Sequence, residues 1–218
     1  MSSSHEFVTL NFNLMAKAGI LTTSDYLPIE AFERLLEGLH RDKKYVWELF
    51  CSIAFATALR VSDVRSTRWM DVLGKDDFFK KEKKTKKTRH ISLDTTVRDR
   101  ISELYVIMGS PDKSQPVICN RKTETSFTTQ YINRTLKKFR VQYRLPIKAF
   151  STHTFRKTFG RYIYDTAQDK TEALVLLNRI FNHTSIETTM VYIGLRQDDM
   201  NKAYRSIKFK SYDETINI

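Results

Sequence analysis

Apolar residues first recur at helical spacing at Ile29, Phe32, Leu35, Leu36 and Leu39, directly after Pro28. This spacing predicts an amphipathic helix with Pro28 at its start. Residues 43–59 read as a second, more apolar helix through Trp47, Phe50, Ile53 and Phe55, and Val61 to Arg68 as a short third one. The period then changes. Phe78-Phe79, a lysine-rich stretch, and Arg89-His90-Ile91-Ser92-Leu93 predict two short strands around a basic turn. A helix from Thr95 to Met108 stops at Gly109-Ser110-Pro111, and Val117-Ile118-Cys119 reads as another short strand. Thr128 or Thr129 caps a helix running to Tyr143, and helices follow over 153–166, 171–180, 185–193 and 197–208. The pattern predicts a mostly α fold with a small antiparallel β-sheet, an α+β domain over residues 26–208. Residues 1–25, polar apart from Phe12 to Ile20, read as an N-terminal tail or arm, and 209–218 as a C-terminal tail. No repeat or linker marks a second domain.

Charge narrows the class. The 218 residues carry 37 Lys+Arg against 25 Asp+Glu, a formal net charge of +12. A protein this basic commonly meets a polyanion, most often nucleic acid, although a generically basic protein shares that property. No apolar run approaches the length of a membrane span, and the start lacks a secretory signal pattern. Cys51 and Cys119 give neither a disulfide framework nor a metal spacing. These features point to a cytoplasmic protein.

Four segments carry candidate chemistry, and each has a plainer reading. Arg60, in Ala58-Leu59-Arg60-Val61-Ser62-Asp63, follows an apolar helix and is expected to be partly buried. Its plain reading is an ion pair with Asp63, one turn on. Lys80 to Arg89 holds Lys81, Lys83, Lys84, Lys86 and Lys87 around the single acid Glu82. Such a run is usually a solvated charge cluster, but a hairpin turn would deliver a lysine rigidly to one place. His153-Thr154-Phe155-Arg156 puts a proton-exchanging ring and a phosphate-shaped fork on one helix face. In Asn182-His183-Thr184-Ser185-Ile186-Glu187, Thr184 or Ser185 caps a helix, with Glu187 completing a capping box with Thr184. Tyr192 sits near the end of that helix, one of ten tyrosines, most of which are expected to serve packing.

Taken in order, Arg60, Lys84, His153-x-x-Arg156, His183 and Tyr192 resemble the active site of the tyrosine site-specific recombinases, the phage integrase family. The nine-residue step from His183 to Tyr192 and the acid Asp63, three places after the first arginine, match as well. The resemblance spans residues 26–208. Two features depart from the family pattern. Asn182 stands where the family usually has glycine, and only about 25 residues precede the catalytic pattern, so no separate core-binding domain is expected. The chain then reads as a naturally short member, a remnant, or a fragment of a longer protein.

The resemblance implies a catalytic-domain fold and DNA strand cleavage and rejoining through a 3′-phosphotyrosyl intermediate, serving recombination or integration of a mobile element. Tyr192 would be the nucleophile and Arg60 and Arg156 the phosphate clamps. His183 would donate to the same oxygens, and His153 would accept or relay the tyrosine proton. Lys84 would protonate the leaving 5′ oxygen, with Asp63 orienting these groups. Lys81, Lys83, Lys86 and Lys87 would contact the DNA backbone. The implied partner is double-stranded DNA, bound by a tetramer of chains that are monomers when free. Ala203, Tyr204 and Ile207 would then pack on a neighbouring protomer. No metal or other cofactor is implied. Two alternatives stand beside this reading: a non-catalytic DNA-binding protein derived from a recombinase, and a type IB topoisomerase-like relaxing activity.

Overall fold

The computed structural model describes residues 24–209, apart from the side chains of 196–200. The expected arm over 1–25, except its last two residues, and the tail over 209–218, except its first, lie outside the described residues. In chain order the elements are α1 (Ile29–Arg41), α2 (Tyr45–Thr57), α3 (Val61–Val64), α4 (Trp69–Val72), β1 (Asp77–Lys81), β2 (Thr88–Ser92) and α5 (Thr95–Ile107). They continue with α6 (Thr129–Gln142), α7 (Thr152–Thr166), α8 (Lys170–Phe181), α9 (Ile186–Tyr192) and α10 (Leu195–Ser206).

The centre of the molecule is α2. Leu49, Phe50, Cys51, Ile53 and Ala54 are all buried, because α1, α5 and α7 pack around it. A helix enclosed on all sides shows little amphipathic contrast, which is why residues 43–59 read as apolar throughout. α1 contributes one face, Ala31, Phe32, Leu35 and Leu39, as its spacing predicts. Side-chain caps fix several starts. Asp94, Thr128, Ser151, Asp169 and Ser185 each accept a backbone N–H of the helix that follows.

Local chemistry changes three expectations. The helix expected over 61–68 ends at Val64, because the Ser66 and Thr67 hydroxyls both donate to the Asp63 carbonyl at 3.0 Å and draw the chain out of the helix. The expected strand at 117–119 is only a pair of isolated bridges, Arg68 with Pro116 and Cys119 with Ser126. Pro116 has no amide hydrogen to extend the ladder, and the facing segment turns at once into α4. The sheet described is therefore the β1–β2 hairpin alone, in register from Asp77 opposite Ser92 to Lys81 opposite Thr88. The expected Thr184/Glu187 capping box also does not form. Ser185 is the cap, accepting the Thr188 amide at 3.1 Å.

A small second core under the C-terminal helices joins Ala58, Leu177, Phe181, Ile193 and Leu195. Gly160 of α7 lets this core close. A Cβ there would lie 2.6 Å from Ile193 Cγ2 and 2.8 Å from Phe181 Cζ. Gly160→Ala is expected to lower the melting temperature. Overpacking costs about 1–3 kcal/mol, against about 1 kcal/mol gained from helix propensity. Because Ile193 follows Tyr192 directly, the substitution also shifts the tyrosine. A thermal melt at or above that of the unsubstituted protein would contradict this packing.

Candidate active site

Two helix ends create a demand for positive charge. A helix leaves its last carbonyls without intrahelical donors, and its C-terminus carries partial negative charge. α2 ends at Ala58, which is in the left-handed region (φ 48°). α8 ends at Asn182, also left-handed (φ 52°), a conformation Asn tolerates. The buried Arg156 guanidinium bridges both ends, donating to the Ala58 carbonyl and, at 2.9 Å, to the Phe181 carbonyl. It also lies 4.6 Å over the Phe181 ring. Burial lowers its pKa to about 10, so it remains a cation at neutral pH.

Arg60 is the N-cap residue of α3, two positions beyond Ala58. The ion pair with Asp63 considered from the sequence is not what forms. Arg60 instead donates to Glu82 Oε2 at 2.7 Å. Glu82 is buried at the root of the hairpin turn and also accepts from Arg89 at 3.3 Å and from the Thr85 hydroxyl at 2.8 Å. Burial alone would raise the Glu82 carboxyl. The Thr85 and Arg89 bonds and the charges of Arg60 and Arg89 outweigh it and hold the pKa below the usual carboxylate value. Asp63, fully buried, accepts the Lys83 backbone N–H at 2.8 Å. Its link to the site thus runs through the lysine turn.

The second histidine is fixed by its neighbours. Asn178 Nδ2 donates to Thr189 Oγ1 at 3.3 Å, and the same hydroxyl is hydrogen-bonded to His183 Nδ1 at 3.1 Å. A Thr189 hydroxyl donating to Nδ1 would keep the ring's proton on Nε2. Burial, with the charges of Arg156 and Arg60, depresses the His183 pKa to about 4, so the ring is neutral at physiological pH. This shift carries a stability consequence. The ordinary histidine pKa is about 6.5, so between pH 6.5 and 4 the unfolded chain binds a proton that the folded chain refuses. Stability is expected to fall as pH drops through this window, and His183→Gln to flatten the slope. Urea midpoints measured across the window check this; an unchanged slope would remove His183 as the source.

Tyr192, at the end of α9, is half-buried against Phe181 and His183, with ring centroids 5.3 and 5.0 Å away. Its hydroxyl lies 3.4 Å from Nδ1 of His153, in the first turn of α7. Burial raises the tyrosine pKa to about 12, with Arg156 and Arg60 pulling the other way. Burial and the charges of Arg156, Lys157, Arg60 and Lys84 lower the His153 pKa, leaving a neutral ring able to accept a proton. Lys84 is exposed on the turn, close enough for its charge to act on His153. The Lys87 ammonium donates to Asn182 Oδ1 at 2.6 Å, tying the turn to the loop that carries His183.

The structure brings together Arg60, His153, Arg156, His183 and Tyr192, with Lys84 and Asp63 on and under the adjoining turn. Lys81, Lys83 and Lys86 are exposed along the hairpin, and Lys86 closes the turn from a left-handed conformation (φ 60°). Three participants are not singled out by the sequence reading. Glu82 is hidden there by the lysines around it. Thr189 has no motif of its own. Asn182 is noted only as a departure from glycine, whereas its side chain takes the Lys87 bond.

Helices arranged around one hairpin thus carry two arginines, two histidines, a turn lysine and a tyrosine to one region of the molecule. The phage integrase family profile matches residues 25–198, and the chain belongs to that family, the tyrosine site-specific recombinases. The chain is 30% identical over 182 residues to the probable integrase/recombinase YoeC of Bacillus subtilis (strain 168), covering 82% of this chain and 94% of that one. Its fold is similar to that of XerA recombinase, with a TM-score of 0.65, 18% identity, and coverage of 88% of this chain and 68% of that one. The XerH site-specific recombinase, in a post-cleavage complex with its palindromic difH substrate, gives a TM-score of 0.63 at 19% identity. There the match covers 89% of this chain but 57% of the other, so this chain spans little more than half of XerH.

Proposed function

We propose that this chain cleaves and rejoins strands of double-stranded DNA through a 3′-phosphotyrosyl intermediate, in recombination or integration of a mobile element. The observation that carries the reading is the gathering around Tyr192 of Arg60, of His153 and Arg156 from α7, and of His183, with the His153 ring 3.4 Å from the tyrosine hydroxyl and the charges of Arg156 and Arg60 acting on it. The tyrosine attacks a phosphodiester and expels a 5′-hydroxyl, and a hydroxyl from a second strand reverses the step, so the bond energy is retained in the link. Arg60 and Arg156 neutralise charge developing on the nonbridging oxygens. Arg156 acts from a buried, doubly anchored position, so little reorganisation is needed at the moment of reaction. Neutral His183 donates through Nε2. Neutral His153 accepts the tyrosine proton, which the raised Tyr192 pKa keeps in place until a phosphate arrives. Lys84 protonates the leaving 5′ oxygen, and Lys81, Lys83, Lys86 and Lys87 follow the DNA backbone. The XerH complex with its palindromic difH substrate supports this partner. Tyr204 and Ile207, 73% and 64% exposed on and beyond α10, support packing against a neighbouring protomer in a tetramer on DNA.

The test is a pool of nicked duplexes with a randomised core, in which the 5′ product diffuses away and traps any intermediate. The expected result is a denaturation-resistant adduct, with the DNA 3′ phosphate on Tyr192 and a free 5′-hydroxyl. Binding of the pool without any adduct would overturn the reading in favour of a DNA-binding protein without cleavage activity.

A further inference from the structure

Among the described residues, the one acid in the lysine-rich turn has an unusual set of partners. Glu82 Oε2 accepts from Arg60 at 2.7 Å and from the Thr85 hydroxyl at 2.8 Å, while Oε1 accepts from Arg89 at 3.3 Å. Arg89 also donates to the Thr57 carbonyl at 3.1 Å, at the end of α2 and three residues before Arg60. A closed circuit results, from Thr57 through Arg89 and Glu82 to Arg60 and back along the chain. Thr85, the residue after Lys84, hangs on the same carboxylate. The Glu82 side chain is 3% exposed, so this is no solvated surface charge. One arginine would suffice to pair a buried carboxylate, whereas Glu82 engages two and a turn hydroxyl besides.

We propose that Glu82 is a positioning residue that holds Arg60 and the Lys84 turn in one geometry, so that phosphate neutralisation and leaving-group protonation are delivered together. The inference rests on the strand-cleavage function proposed above. Arg60 has five N–H donors, of which Glu82 takes one in the described contacts, leaving fork geometry for a phosphate. The turn is anchored on both sides of Lys84. Lys83 gives its amide to Asp63 at 2.8 Å, Thr85 gives its hydroxyl to Glu82, and the Lys84 side chain is left exposed. The sign of the effect separates positioning from charge balance. A carboxylate beside Arg60 offsets its positive charge, so if field strength alone mattered, removing that charge would speed cleavage. If Glu82 positions, removing it slows cleavage.

The experiment is single-turnover cleavage at saturating protein, using a duplex recovered from the adduct assay in three forms. These are the ordinary phosphodiester, a methylphosphonate lacking the charged nonbridging oxygen, and a phosphorothiolate with sulfur at the 5′ bridging position. Glu82→Gln is expected to slow phosphodiester cleavage by about 10²-fold or more, the scale of losing one preorganised donor. The loss should shrink on the methylphosphonate, where Arg60 has less charge to neutralise, and Glu82→Asp should restore part of the rate. Thr85→Val leaves the Arg60–Glu82 pair in place and loosens only the turn. It is expected to slow the phosphodiester and recover on the phosphorothiolate, which needs no proton on its leaving group. Thr85→Val keeps the proposal testable if Glu82→Gln fails to fold. Glu82→Gln cleaving at or above the unsubstituted rate, or equal slowing on all three substrates, would overturn the proposal. Absence of any adduct from the unsubstituted protein would instead sink the cleavage reading itself, and this inference with it.

Discussion

Tyr192→Phe is expected to abolish the covalent adduct while leaving fold and DNA binding nearly unchanged. The ring does the packing. It lies against Phe181 and His183, with the Lys157 ammonium 5.4 Å from its centroid. Phenylalanine keeps that ring and loses only the hydroxyl facing His153. Losing an active-site nucleophile costs on the order of 10⁶-fold in rate, which places the variant below detection. The measurement is a denaturing gel of the nicked-duplex reaction, beside a melting curve and a binding isotherm for the same variant. An adduct formed by the Phe variant would move the nucleophile elsewhere, first to Tyr204 on α10.

Lys84→Ala is expected to slow cleavage of ordinary DNA by roughly 10²-fold or more, the range for losing a general acid. The reason lies in the leaving group. An alkoxide needs a proton in order to depart and a thiolate does not, so the loss should disappear on a 5′-bridging phosphorothiolate. Lys84 lies between the two anchored positions of the turn, and its charge is among those felt at His153. Lys83 is held through its backbone at Asp63, and Lys87 is engaged with Asn182. A lysine that serves only the DNA backbone would lose affinity on both substrates alike. Rescue by sulfur in Lys86→Ala, and not in Lys84→Ala, would move the acid two residues along the turn and leave the chemistry standing.

The helices and the hairpin are readable in the sequence because each depends on local regularities. The spacing of Ile29, Phe32, Leu35 and Leu39 is a surface helix of period 3.6, and Phe78 and Ile91 are the inward positions of a pleat. Where competition was local but weak, the reading misses by a residue or an element. Of the two caps left open for α9 it is Ser185 that serves, so the box drawn with Thr184 is one residue out, and the hydroxyls of Ser66 and Thr67 end α3 early. The apolar triplet 117–119 reads as a strand because β-propensity is a statement about fitting a sheet, and no neighbouring strand was there to fit.

The sequence by itself singled out the side chains proposed for the chemistry. The order and spacing of Arg60, Lys84, His153, Arg156, His183 and Tyr192 name the family without reference to space. Tertiary structure alone decided the partnerships. Arg60 pairs with Glu82, twenty-two residues away, rather than with Asp63 at three, because the hairpin carries a buried carboxylate to it. Arg156 spans the ends of α2 and α8 because both leave carbonyls that only a long forked cation can reach together. Lys87 meets Asn182 across ninety-five residues of chain. Such contacts join groups whose separation in sequence bears no relation to their separation in space, and charge and hydrogen bonding act across the second distance.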